Sequence, residues 1–241
     1  METQEKWRRN LKIYGYTQLT LLDYPGKLAS TVFVGGCNYR CPYCHNADLV
    51  TCSTNLPVIP EASILRHILK RKNALEGVCI TGGEPTIYKD LPQFIEKIKD
   101  IGLLVKLDTN GTNPAMVKYL HEQGLIDYVA MDIKSSPSGY AKAVGLGEIS
   151  MSEIFETAEF LLRGSVDYEF RTTVVEGIHE VDDFEKIGKW IGGAKRYFLQ
   201  AYKRSERQFA PAGLETPSTD KMTQFLEVCR KYIPSTVIRG E

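Results

Sequence analysis

About six times along this chain, a short apolar run gives way to a segment whose apolar residues recur at helical spacing. The runs lie near 27–34, 77–81, 103–107, 128–131, 168–175 and 196–200. Helical spacing follows at Ile64, Leu65, Ile68 and Leu69, at Leu91, Phe94, Ile95 and Ile98, and at Met116, Val117 and Leu120. It continues over roughly 151–162, 181–191 and 221–232. Short strands alternating with helices predict parallel strands joined by helical crossovers. The expected fold is therefore α/β, a partial (β/α)6 barrel of the TIM type. A further short strand is expected near 11–16 and another near 236–239. The whole chain, 1–241, reads as one domain, with an N-terminal extension over about 1–26 and a C-terminal segment over about 202–241. The stretches 48–60, 135–148 and 201–218 read as irregular, and the last of these suits a lid or a partner surface.

In barrels of this kind, active sites collect where strands end. The unusual polar groups of this sequence fall at those ends or within a strand. The first strong strand stops at Gly35-Gly36 and enters Cys37-Asn38-Tyr39-Arg40-Cys41-Pro42-Tyr43-Cys44-His45-Asn46. The next ends at Gly82-Gly83-Glu84-Pro85, the third at Asp108-Thr109-Asn110-Gly111 and the fourth at Asp132-Ile133-Lys134. These four groups are expected to share one cavity rim. Three thiols at C-x3-C-x2-C in one loop leave a fourth metal position open, and open positions are where metal sites do chemistry. Zn2+ with His45 or Cys52 as fourth ligand is one occupant, a four-cysteine cluster using Cys52 a second, and a [4Fe–4S] cluster with three protein ligands a third. Cys79 and Cys229 read as small core residues.

Formal net charge is zero, which argues for no nucleic-acid surface, and no apolar run approaches the length of a membrane span. The polar N-terminus lacks a secretion signal, so a cytoplasmic location is expected, where cysteines serve as ligands or free thiols.

Cys37, Cys41 and Cys44, with Tyr43 before the last and Gly82-Gly83-Glu84-Pro85 downstream, resemble the signature of the radical S-adenosylmethionine (SAM) enzymes. The longer string Leu22-Asp23-Tyr24-Pro25-Gly26-Lys27, together with the cysteine loop, is similar to the activating enzymes of glycyl-radical proteins, most of all those of anaerobic ribonucleoside-triphosphate reductase. The resemblance spans about 13–175. It implies that Cys37, Cys41 and Cys44 ligate a [4Fe–4S] cluster whose fourth iron is chelated by SAM. It implies further that Tyr43 lies against the adenine, with His45 beside the adenosyl group, and that Gly82, Gly83 and Glu84 form the segment binding the methionyl amino group. Asp108 and Asn110 suit ribose hydroxyls. Asp132 and Lys134 suit the SAM carboxylate or ribose, or each other. Arg171, inside an apolar strand, needs a carboxylate from SAM or from the protein. Gln200 is a further candidate contact.

The activity implied is reductive cleavage of SAM and generation of a glycyl radical on a partner acting in trans, an anaerobic ribonucleotide reductase, with a flavodoxin or ferredoxin as electron donor. Two rivals stay open: a radical SAM enzyme acting on a small molecule, as in deazapurine biosynthesis, and a zinc-stabilised binding module without catalysis.

Overall fold

The computed structural model describes residues 10–52, 56–205, 208–209 and 212–240. Trp7, Arg207 and Pro211 lie outside the described residues. The chain divides into two compact units, one of residues 1–38 and 48–129, the other of 39–47 and 130–241. Strand order follows chain order.

The first unit runs β1 (Ile13–Thr20), β2 (Ala29–Val34), α1 (Ala47–Thr51), α2 (Glu61–Arg71), β3 (Gly77–Gly82), α3 (Leu91–Asp100), β4 (Leu104–Thr109) and α4 (Pro114–Glu122). α1 begins on the last residue of the other unit's 39–47 segment. β2, β3 and β4 pair in parallel. β1 departs from the all-parallel expectation: it is longer than the expected strand near 11–16 and pairs with β2 antiparallel. Its register is held by side chains, since Tyr16 O–H donates to Ser30 Oγ at 3.1 Å and Ser30 donates to the Gln18 carbonyl at 2.9 Å. The helices bury the stripes that the spacing predicts: Ile64 and Ile68 in α2, then Leu91, Phe94, Ile95 and Ile98 in α3. The Asn113 side chain caps α4 by accepting from Met116 N–H at 3.1 Å.

The Leu-Asp-Tyr-Pro-Gly string has a structural explanation. Tyr24 is buried beside Ala29 and Tyr128, with the two tyrosine rings 5.9 Å apart. Asp23 accepts from Thr31 Oγ1 at 2.5 Å, and Lys27 N–H closes the turn on the Tyr24 carbonyl at 3.1 Å.

β5 (Tyr128–Asp132) runs through the boundary between the units. The second unit continues with α5 (Tyr140–Val144), α6 (Ser152–Leu162), β6 (Asp167–Val174), α7 (Val181–Trp190), β7 (Tyr197–Ala201), α8 (Thr219–Arg230) and β8 (Val237–Arg239). β6, β7 and β8 pair in parallel. Arg239 closes β8 with a bidentate pair to the buried Glu169, at 2.8 and 2.9 Å. Two five-residue helices, α1 and α5, stand in stretches that read as irregular. One helical turn is too short to show a periodic apolar stripe. Among the described residues, no helix is long and apolar enough to cross a membrane.

Candidate active site

In the first unit, β2 and β3 end side by side and hold the start of the cysteine loop. Gly83 N–H donates to Val34 O and Glu84 N–H to Gly36 O, both at 2.8 Å. Tyr88 O–H donates to Gly35 O at 2.7 Å, and Gly36 N–H to Leu49 O at 2.7 Å. The two glycines at the end of β3 are required by this approach. Gly82 has φ of +117°, and a Cβ on Gly83 would stand 1.8 Å from Gly36 O.

Glu84 is 1 % exposed. Its carboxylate accepts from Thr86 N–H at 3.0 Å, Thr86 Oγ1 at 2.6 Å, Thr109 Oγ1 at 2.8 Å and Asn110 N–H at 2.6 Å. Burial pushes its pKa up, and those donors oppose the rise. Glu84 therefore ties the end of β3 to the end of β4. Asn110 is likewise a hub. Its amide nitrogen lies 2.8 Å from Asn38 Oδ1 and 3.9 Å from Cys37 Sγ, and its carbonyl oxygen accepts from Thr112. This amide aligns the first cysteine of the motif. Asp108, two residues earlier, pairs with the buried ammonium of Lys106.

The loop then passes into the second unit. Cys44 N–H bonds the Cys41 carbonyl at 3.0 Å, a tight turn that sets the C-x2-C spacing. Burial pushes the Cys41 thiol up to about 11 and raises Cys44 as well, with the Lys134 ammonium opposing both. The Tyr43 ring is buried, 3 % exposed, and its O–H lies 3.5 Å from the Lys134 carbonyl. Its side chain packs the loop. His45 is exposed; its Nδ1 lies 3.5 Å from Gln208 Nε2, with the Tyr202 ring 6.0 Å away.

At the end of β5, Asp132 takes Lys134 Nζ on one oxygen and Arg171 Nε on the other, each at 2.9 Å. Burial would raise the Asp132 pKa, but Arg171 and Lys134 outweigh it and hold the carboxyl well below its usual range. The same pairing overcomes burial at Lys134 and raises its pKa. Arg171 thus has its protein carboxylate, and the Asp132–Lys134 pairing follows from their two-residue offset.

His179, which the sequence shows only as a loop residue, is 1 % exposed and supports this corner. Its Nδ1 accepts from Val175 N–H at 3.0 Å, so its Nε2 carries the proton and donates to the Lys134 carbonyl at 2.9 Å. Burial lowers its pKa, which suits a neutral ring in both bonds. Gln200 stands on β7 opposite Thr173, and Cys79 and Cys229 are buried as expected.

Residues 31–191, well over half of the chain, match the Radical SAM superfamily. The chain belongs to the radical SAM superfamily. A protein of Methanocaldococcus jannaschii, named as a candidate glycyl-radical enzyme activating enzyme, is 30% identical over 234 residues, covering 94% of this chain and 95% of that one. The pyruvate formate-lyase-activating enzyme of Clostridium pasteurianum is 27% identical over 154 residues, 61% of this chain and 63% of that one. Among solved structures, Streptococcus suis SuiB bound to S-adenosylmethionine superposes with a TM-score of 0.66 at 14% identity, over 85% of this chain and 48% of that one. That likeness shows the fold, the α/β partial barrel expected from the alternation. The family makes this chain a radical SAM enzyme, and the relative matched over nearly its whole length places it with the glycyl-radical enzyme activating enzymes.

Radical SAM enzymes use a [4Fe–4S] cluster and SAM, and the donor set here fits an iron–sulfur group. All three loop cysteines are free of disulfides. A buried thiol whose pKa is raised becomes a thiolate only when a cation takes up the charge, and iron does so.

In this radical SAM enzyme, the Asp132 cluster carries a pH signature. A carboxyl with a depressed folded pKa stabilises the fold above its unfolded pKa, and that contribution is lost as pH falls through the folded value. Asp132→Asn leaves Lys134 and Arg171 without their shared anion. It is expected to cost about 2 kcal/mol at pH 7, the pair being only partly exposed. Thermal melts should show the wild-type advantage at pH 7 and a smaller one at pH 3. An equal gap at both pH values would contradict the ion-pair assignment.

Proposed function

We propose that this chain activates an anaerobic ribonucleoside-triphosphate reductase in trans, generating its glycyl radical by reductive cleavage of SAM at a [4Fe–4S] cluster held by Cys37, Cys41 and Cys44. The carrying observation is the near full-length likeness to an activating enzyme, joined to the Leu-Asp-Tyr-Pro-Gly and cysteine-loop strings that resemble the reductase activators. When bound, the cluster supplies the electron, delivered by a flavodoxin or ferredoxin, that breaks the sulfonium C–S bond of SAM and so allows hydrogen abstraction from a glycine Cα.

The chain's own residues bind and orient. The backbone of the Gly82-Gly83-Glu84 segment takes the methionyl amino group. Asp132, Lys134 and Arg171 present fixed charges to the polar end of SAM, and Asp108 serves the ribose. Glu84, Asn110 and His179 hold these groups in place through the bonds described above.

The test is anaerobic incubation of the reconstituted enzyme with SAM and reductant, with and without the candidate reductase. The expected result is a glycine-centred EPR doublet only when the reductase is present. SAM cleavage accompanied by a modified small molecule and no protein radical would overturn the proposal.

A further inference from the structure

We infer that Lys106 is a positioning residue for SAM, acting through Asp108; this rests on the SAM-binding reading above. Lys106 lies mid-strand in β4 and is 1 % exposed, the only lysine or arginine in the buried class among the described residues. A buried ammonium is costly unless paired, and an apolar side chain of equal length would fill the same space without that cost. The placement of the charge gives the reason for its presence.

Side chains alternate along a strand, so the fully buried Val105 and Leu107 take one face of β4, and Lys106 and Asp108 take the other. Lys106 sits in register with Cys79 on β3, which in turn is in register with Thr31 on β2. Its Nζ lies 3.7 Å from Cys79 Sγ and ion-pairs with Asp108 Oδ1. The Cys79 thiol also reaches Asp108 Oδ1, at 3.7 Å. Two contacts on one oxygen fix the rotation of the carboxylate.

The Asp108 side chain is 13% exposed and that of Lys106 2%. The lysine stem therefore brings a positive charge from inside the sheet to the underside of the strand end, and the carboxylate is the member of the pair that meets the outside. A carboxylate that accepts from ribose hydroxyls must be oriented before the ligand arrives. An ammonium buried behind it does so. This division separates Asp108 from Asp132, whose charges come from Arg171 and Lys134.

A double-mutant cycle on the anaerobically reconstituted holoenzyme tests this, with SAM affinity read by equilibrium dialysis and iron content measured on each sample. Lys106→Met and Asp108→Asn are each expected to weaken SAM binding about tenfold, the size of one charge-assisted hydrogen bond, with iron per chain unchanged. The double variant should bind no more weakly than Asp108→Asn alone. If Lys106→Met does not accumulate as folded protein, Lys106→Gln completes the cycle with the same expected coupling. Unchanged SAM affinity in the lysine variant, or losses that multiply to about a hundredfold in the double, would overturn the inference. A wild-type holoenzyme that binds no SAM would instead overturn the proposed function.

Discussion

Cys41→Ala is expected to lose the iron–sulfur group and all measurable SAM cleavage while keeping its fold. The two parts of that expectation have separate causes. Cys41 is 8% exposed and its thiol is raised by burial. Trimming one buried sulfur costs on the order of 1 kcal/mol, small against the stability of a domain this size. The local turn survives because the bond that closes it runs from Cys44 N–H to the Cys41 carbonyl, both backbone atoms. Ligation is different. With two of the three thiolates left, the protein loses one of its three proposed bonds to the cluster. Iron and sulfide per chain after reconstitution, far-ultraviolet circular dichroism and 5′-deoxyadenosine release read the outcome. Cys229→Ala is the control. Cys229 is also buried, with its thiol pushed up to about 12 by burial, but it lies in α8, outside the motif. It should keep full iron at a modest cost in stability. Retained SAM cleavage in Cys41→Ala would remove Cys41 from the ligand set.

The fold was legible wherever apolar spacing ran long enough. α2, α3, α6 and α7 begin or end within a residue or two of the expected limits, because each carries two or more turns of one apolar face. The short α1 and α5 left no such trace, and neither did the direction of β1, since antiparallel pairing is set by its partner and its turn. At the site, residue types were legible but their division of labour was not. Glu84 and Asn110 look like ligand contacts in the sequence, yet Glu84 spends its carboxylate on the β4 loop and Asn110 orients Cys37. Those bonds join residues 25 to 73 positions apart, which no local pattern encodes. Lys106 and His179 gave no signal for the same reason: each matters through a group brought near by the fold. Asp132, Lys134 and Arg171 were the easier case. A two-residue offset and a charge inside an apolar strand are local facts; they left SAM contact and ion pairing both open, and the fold pairs all three.

The largest structural effect is expected from adding a single methyl group at Gly83. An ideal Cβ there stands 1.8 Å from Gly36 O and 2.6 Å from Gly36 C. Both obstacles are backbone, so neither can swing aside as a flexible side chain would. The conflict falls between two hydrogen bonds just past the end of β3, from Gly83 N–H to Val34 O on β2 and from Glu84 N–H to Gly36 O at the start of the cysteine loop. Relief requires the strands to part at that point, which gives up both bonds as well as the packing. About 1 kcal/mol for each bond and 1–3 kcal/mol for overpacking give a loss of about 4 kcal/mol. For a chain of this size, that lowers the melting temperature by about 10 °C. The displaced residue, Gly36, directly precedes Cys37, so Gly83→Ala should also reconstitute with less iron than the wild type, although no ligand has been changed. Gly147→Ala is the matching control: a Cβ there meets nothing within 4 Å, and its backbone lies outside the left-handed region. It should melt within about 1 °C of the wild type. If Gly83→Ala also melts with the wild type and binds a full complement of iron, the close backbone contact between β3 and the cysteine loop is not a feature of the protein in solution.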